Sequence, residues 1–450
     1  APAVLTCCLM SAYRGYYQGM QNMYPTSISQ IIEAVTKMIF GLGLSGAVLY
    51  LTQREYETYG TVLGQSYAGQ AQAQAVIAQL ASGAAVLGVS LSTAAGLLYL
   101  MIRWRKKGDG VSDELVRQSP QPQRAGVLFK TIIVIAVPVC LGSLAVNFSG
   151  IIDLMTVTGR LAEVMQTAPQ ALLDCYGANI PEAEIINNSV HNYLYGAYSG
   201  KAVVIANLVP ALTAGLAVSA LPVVAESFAQ GNRLRTQRSV QMVLRITTIV
   251  CIPAGLGISA LAQEVCELFF GYNSEVAIGA PLLQVLAIAS IFIALTAAIN
   301  SLLQAVGRVS LPVKLILIGS LVKLAMNYIL VGIPQINIQA APWSTLACYL
   351  LVTVLSLIAL RQSVGELGVV SVFVKPLLAG LLCAAFARLS QNLISTVIAS
   401  RFAVLVSVAV GALVYLIALF LLKAFKKEDI EMLPKGEKIA KTLEKYSLLG

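Results

Sequence analysis

Apolar stretches of about 20 residues or more recur along this chain, each long enough to cross a hydrocarbon layer ~30 Å thick. They fall near 28–51, 73–102, 128–152, 191–223, 241–262, 281–304, 314–333, 342–360, 376–394 and 402–422, and residues 1–15 read as the end of an earlier one. That makes about eleven spans. In lipid every backbone N–H and C=O must be satisfied within the protein, so such stretches fold as helices. Composition agrees: 57% of the 450 residues are hydrophobic and 11% are charged, against roughly 25% charged in soluble domains. The mean hydropathy is +0.78. The fold class expected is an all-α polytopic membrane protein.

Positive charge alternates between the connecting loops. On one side lie Arg14, six cations in 103–126, three in 225–240, Arg308, Lys314, Arg361, Lys375 and seven cations after residue 422; on the other lie Arg54, Arg160 and Arg401. Cytoplasmic loops carry the excess of Lys and Arg, which puts the C-terminal tail in the cytoplasm. The net charge of +9 is therefore a sign of topology and of anionic lipid headgroups nearby, and not of nucleic-acid binding.

Two segments read as copies of one another. Ala12 to Lys37 laid over Ala298 to Lys323 aligns Gln18 with Gln304 and Lys37 with Lys323, and Pro25 with Pro312 after a one-residue shift. A repeat with an intramembrane lysine in both copies points to a two-lobed transporter with a shared site near the bilayer midplane. The chain opens on Ala1 in what reads as the second half of a helix. With nothing to match the three spans before 281–304, a fragment lacking about three N-terminal helices is expected, of about fourteen in an intact protein.

Polar residues inside the spans are the candidate site. Thr26, Ser29, Gln30, Glu33 and Lys37 recur at helical spacing and line one face. Glu33 and Lys37, four apart with the acid first, are in the favourable order for a helix pair, so a self-neutralised structural pair is the alternative to a role for both in substrate binding. At ~1.5 Å per residue, Lys37 lies ~14 Å into its helix and Lys323 about as deep. Lys323 has no acid four residues away and is followed by Asn327. An uncompensated midplane cation costs ~2.5–3.5 kcal/mol on insertion scales, which a cavity receiving an anion would justify. Arg14, Lys201 and Asn207 are further candidates. Arg245, at the start of a span, either joins them or snorkels to the interface. Pro210 and Gly215 suggest that 191–223 is bent or partly unwound. Asp153 and Arg160, with Glu163, are read as a gate pair at the outer mouth of their span.

Enzyme chemistry is not supported. Gly196 to Ala202 has three residues between its glycines where a phosphate loop has four, and Ala202 stands where Ser or Thr would hold magnesium. His191 is the lone histidine, so histidine-based metal sites and triads are unsupported. No cofactor and no metal are expected; coupling to a sodium or proton gradient, or to the membrane potential, stays open.

The run Tyr13-Arg14-Gly15-Tyr16-Tyr17-Gln18-Gly19-Met20-Gln21, followed by Pro25, Ser29-Gln30, Glu33 and Lys37, resembles the signature between helices four and five of the polysaccharide biosynthesis proteins related to stage V sporulation protein B. Leu194-Tyr195-Gly196, Leu221-Pro222, Ala225-Glu226-Ser227, Leu302-Leu303-Gln304 and Gly307 extend the resemblance in order along the chain. It implies the multidrug, oligosaccharidyl-lipid and polysaccharide (MOP) exporter superfamily, with two six-helix lobes and often two extra C-terminal helices. On that reading residues 1–126 are the remainder of the N-lobe with a cytoplasmic linker. Residues 127–362 are the C-lobe, 363–425 two additional helices, and 426–450 a basic cytoplasmic tail.

The resemblance further implies a flippase of a bacterial plasma membrane moving an undecaprenyl-pyrophosphate-linked saccharide, a peptidoglycan precursor or a polysaccharide repeat unit. Relatives hold the pyrophosphate with cavity arginines. Lys201, on the span corresponding to helix eight, is the nearest cation here, although lysine lacks the bidentate fork of arginine. Lys37, Lys201 and Lys323 would hold the head group while the polyprenyl tail lies along 376–422. Expected partners are the lipid-linked saccharide, membrane lipids and cell-wall synthesis enzymes. The alternatives are a cation-coupled multidrug exporter with Glu33 as its ion site, and a non-transporting scaffold for cell-wall enzymes.

Overall fold

The computed structural model describes residues 2–20, 22–67, 70–108, 124–186, 188–396 and 400–424. Arg117, the tail assigned to 426–450 and the side chains of Leu221, Pro222 and Arg401 lie outside that description. The chain divides into two compact units, Ala1–Gln123 and Arg124–Gly450.

The first unit is built from α1 (Pro2–Gly19), α2 (Tyr24–Tyr59) and α3 (Gln70–Lys107). Pro25 stands in the first turn of α2, where a missing N–H breaks no helical bond and φ is already suited. A small hairpin, Thr61–Val62 with Gln65–Ser66, joins α2 to α3. Its two turn residues, Leu63 and Gly64, both have positive φ (51° and 75°), as the tightest hairpin turn demands. Glu55 at the end of α2 ties it down, accepting from the Gly64 N–H at 2.9 Å. α2 and α3 approach closely where Gly88 meets Gly41: a Cβ on Gly88 would lie 2.5 Å from the Gly41 nitrogen. Small residues of this kind let membrane helices pack backbone to backbone.

The second unit opens with α4 (Ala125–Thr167), 43 residues in one helix, which at ~1.5 Å per residue is longer than a bilayer core needs. Next comes the interrupted helix expected over 191–223. α5 (Val190–Ala197) passes into a π turn, Tyr198–Ala202, and a short segment Val203–Ala206, breaks at Asn207, and resumes as α6 (Leu208–Ala229). Pro210 has no N–H for the carbonyl of Ala206, which accounts for the break. The π turn inserts an extra residue and re-aims the side chains on either side.

α7 (Arg233–Ala260), α8 (Ser274–Ala305), α9 (Leu311–Leu330), α10 (Ala340–Val364), α11 (Lys375–Ile394) and α12 (Ser400–Leu421) complete the unit. α8 is the central element, buried along most of its length through Leu283, Ala287, Ala294, Ile299 and Leu303. α9 opens with Pro312 as α2 opens with Pro25, so the aligned prolines and lysines occupy like positions in their own helices. α9 and α10 pack through Gly319, where a Cβ would meet the Cys348 sulfur at 3.0 Å and overlap the Val352 side chain.

Outside the spans, the half-buried Tyr176 hydroxyl donates to Asn337 Oδ1 at 2.8 Å, and partial burial pushes its phenol pKa up. α12 is fastened to α11 by Ser407 and Gln391 at 3.0 Å, and to α7 by the Tyr415 hydroxyl on the Ile249 carbonyl at 2.8 Å. Eight helices among the described residues are long and apolar enough to cross a membrane.

Candidate functional site

Ser149, Asp153, Thr156 and Arg160 follow one another on α4 at intervals of four, three and four, so they share a face. Three of them meet α9 as a buried polar seam. Lys323 Nζ lies 2.6 Å from Asp153 Oδ2 and 3.1 Å from Ser149 Oγ, and 3.4 Å from the Ser149 carbonyl. Asn327 Nδ2 donates to Asp153 Oδ1 at 2.8 Å and to Thr156 Oγ1 at 3.2 Å. The Ser344 hydroxyl on α10 donates to Asn327 Oδ1, and the Tyr198 hydroxyl, from the π turn, donates to Asp153 Oδ2 at 3.5 Å. Lys323 is 2% exposed and Asp153 7%. Both carboxylate oxygens and the ammonium have partners, the condition under which a desolvated ion pair is tolerated.

This corrects two expectations. Lys323 is not an uncompensated cation: its acid comes from another helix, 170 residues away in sequence. Asp153 is likewise not half of a gate with Arg160. Arg160 pairs with Glu163 and its guanidinium lies over the Tyr328 ring, 4.5 Å from the centroid. Asp153 is buried deep in the seam, and the i,i+3 partner on Arg160's own helix is the nearer acid.

Lys201 projects from the π turn to a second ion pair, 2.9 Å from Glu275 Oε2 at the start of α8, with its ammonium 4.6 Å from the Phe270 ring centroid. Its side chain is 20% exposed and that of Glu275 39%, so this pair is open to exchange where the Asp153 pair is not. Asn207 is exposed at the helix break and belongs to neither cluster. Arg245 is 2% exposed and so does not snorkel; it sits inside α7 one turn from Thr248, whose hydroxyl reaches the Val372 carbonyl at 2.6 Å.

In the first unit Glu33 is taken by a different cation from the one its helical spacing favours. Arg14 Nη2 lies 2.9 Å from Glu33 Oε2 while its Nε donates to Ser29 Oγ at 2.8 Å. The planar arginine fork satisfies two acceptors at once, and the i,i+4 lysine loses the competition. Lys37 is left exposed, with no ion-pair partner among the described residues.

The fold and these charges can be set beside known proteins. A family model described as MatE matches residues 197–329, from the π turn through Lys323 and Asn327. The lipid II flippase MurJ of Bacillus subtilis (strain 168) is 24% identical over 77% of this chain, a match spanning 55% of that relative's length. Stage V sporulation protein B of the same organism is 20% identical over 96% of this chain and 74% of its own. Among solved structures, lipid II flippase MurJ in an inward closed conformation superposes with a TM-score of 0.53, at 13% identity, over 93% of this chain and 72% of that one.

The chain is thus similar, at low identity, to a MatE family model and to MurJ and stage V sporulation protein B. It is a multi-pass membrane protein, and it shares the all-α fold of its solved relative. Several polar residues of the seam and of the second ion pair were not singled out from sequence. Ser149 and Thr156 stand at helical spacing around Asp153, a signal that was there to read. Tyr198, Ser344 and Glu275 carry no local signal, since only tertiary packing brings them to Asp153, Asn327 and Lys201.

Proposed function

We propose that this protein moves a lipid-linked saccharide bearing a phosphate or pyrophosphate across the plasma membrane by alternating access, as part or all of a flippase. The observation that carries this reading is Lys37, a cation in an apolar helix that Glu33 does not neutralise because Arg14 holds Glu33 at 2.9 Å. An intramembrane cation of this kind is expensive and marks a ligand path. Its natural complement is an anion.

Lys201, in the second unit, is a further phosphate contact in the proposal, argued from its own surroundings. Its partner Glu275 is partly exposed, and an arriving phosphate oxygen can replace a carboxylate oxygen at the ammonium without leaving either charge bare. Lys323, closed in by Asp153 and Ser149, acts in this conformation as a helix fastener and not as a phosphate ligand. The polyprenyl tail would lie in lipid against the last two helices, where an apolar cavity of about 430 Å³ is lined by Pro253, Gly257, Cys383, Ala387, Gly411 and Tyr415. Binding and rocking suffice; no covalent step is needed. The charge asymmetry of the loops supports a cytoplasmic C-terminal end.

The kinship with a lipid II flippase and a sporulation protein supports the substrate class. A drug exporter loading its coupling ion on Glu33 is disfavoured by the Arg14 pair. The test is translocation of a fluorescent undecaprenyl-pyrophosphate saccharide in proteoliposomes. Lys37→Gln is expected to slow it at least about tenfold, one lost charge-assisted contact, with Lys37→Arg retaining part of the rate. An unchanged rate in Lys37→Gln would remove the carrying observation.

A further inference from the structure

The Lys323 ammonium sits where a dissociable cation would. Its surroundings are oxygens: a carboxylate (Asp153 Oδ2, 2.6 Å), a hydroxyl (Ser149 Oγ, 3.1 Å) and a main-chain carbonyl (Ser149 O, 3.4 Å). Hard oxygen donors of this kind, drawn from carboxylates and carbonyls inside a helical bundle, are the ligands that alkali cations take in transporters. Cys348 and Tyr349 of α10 also lie close, Cys348 to the ammonium and Tyr349 to Ser149. Tyr198 and Asn327 donate to Asp153, Ser344 donates to Asn327, and Thr156 accepts from Asn327. Asn327 is thereby turned with its amide nitrogen toward the carboxylate, so it supplies no oxygen to a second cation there.

The charges decide what the site can hold. Asp153 contributes one negative charge and Lys323 one positive charge. Among the described residues no other ionised side chain pairs with either. Both are buried. An added sodium ion would bring a net positive charge into a desolvated pocket beside an ammonium already at contact distance, a repulsion that low dielectric makes large.

We propose that Lys323 is a tethered cation: its ammonium permanently occupies an alkali-cation site at Asp153, so that this site binds no free ion in the native protein, and removing the ammonium converts the cage into a sodium site. The consequence for energetics is that α4 and α9 are held together independently of the sodium gradient, and any coupling ion acts elsewhere. The inference does not depend on what the protein transports, and its test reads stability, not transport.

The experiment compares thermal unfolding of the full chain in lipid nanodiscs in sodium chloride and in choline chloride at equal ionic strength. The wild-type protein is expected to melt at the same temperature in both. Lys323→Met, which keeps length and loses charge, is expected to melt lower in choline and to recover by at least about 3 °C in sodium, as mass action requires for an ion bound only by the folded state. The charge-neutral double variant Asp153→Asn/Lys323→Met is expected to be indifferent to the salt. Should Lys323→Met fail to fold, the wild-type arm still decides. A sodium-specific rise in the wild-type melting temperature that vanishes in the double variant would overturn the proposal, as would a folded Lys323→Met that melts identically in both salts.

Discussion

Asp153 and Lys323, 170 residues apart in the chain, hold one another at 2.6 Å in the interior of the second unit. The pair joins α4 to α9 and is closed over by side chains from the π turn and α10. Its energetics follow from desolvation. Each charge is tolerable because of the other, and each becomes a liability alone.

Removing one partner should therefore be far worse than removing both. Asp153→Asn or Lys323→Met alone is expected to destabilise by about 3–5 kcal/mol, the usual result of leaving a buried charge unpaired. The double variant is expected to recover most of that loss. A double-mutant cycle by thermal or denaturant unfolding in lipid measures it, and strictly additive losses would mean that the two side chains do not interact.

Glu33→Gln acts on Arg14, not on Lys37. Loss of the partly buried pair should lower the stability of the first unit by about 1 kcal/mol while leaving Lys37 charged. Translocation of an anionic lipid-linked saccharide is expected to fall no more than about twofold. Abolished drug efflux in the same variant, with saccharide movement indifferent to Lys37 and Lys201, would favour a cation-coupled exporter.

Glu275→Gln should release Lys201 from its ion pair and raise affinity for the anionic head group, whereas Lys201→Gln should lower it. Competition of inorganic pyrophosphate with translocation reads both. Opposite shifts of about threefold to tenfold are expected, the range of a partly screened charge contact; shifts in the same direction would indicate a structural pair.

Gly319→Ala tests the close approach of α9 and α10. The added methyl would overlap Val352 and press on the Cys348 sulfur, so a loss of about 1–3 kcal/mol is expected from overpacking. Val352→Ala in the same chain should restore part of it. An unaffected melting temperature in Gly319→Ala would show that the helices do not pack as described.

The helices were legible in the sequence because a bilayer leaves few ways to satisfy the backbone of a 20-residue apolar run. The break near Asn207 was legible through Pro210. The partners of the charges were not. Local spacing favoured Glu33 with Lys37, but the Arg14 fork reaches Glu33 and Ser29 together from the neighbouring helix. Nothing near Lys323 announces Asp153, because that contact depends on how α4 packs on α9. The Leu63–Gly64 turn was overlooked, since a two-residue strand has no room for an alternating pattern.

The central claim is that a negatively charged head group is what the chain's intramembrane lysines receive. Proteoliposomes loaded with an undecaprenyl-pyrophosphate saccharide, and others loaded with the same saccharide on an uncharged polyprenyl linker, test it in one measurement of wild-type translocation rate. The account predicts movement of the pyrophosphate form and at least about tenfold slower movement of the neutral one; equal rates for the two would contradict it.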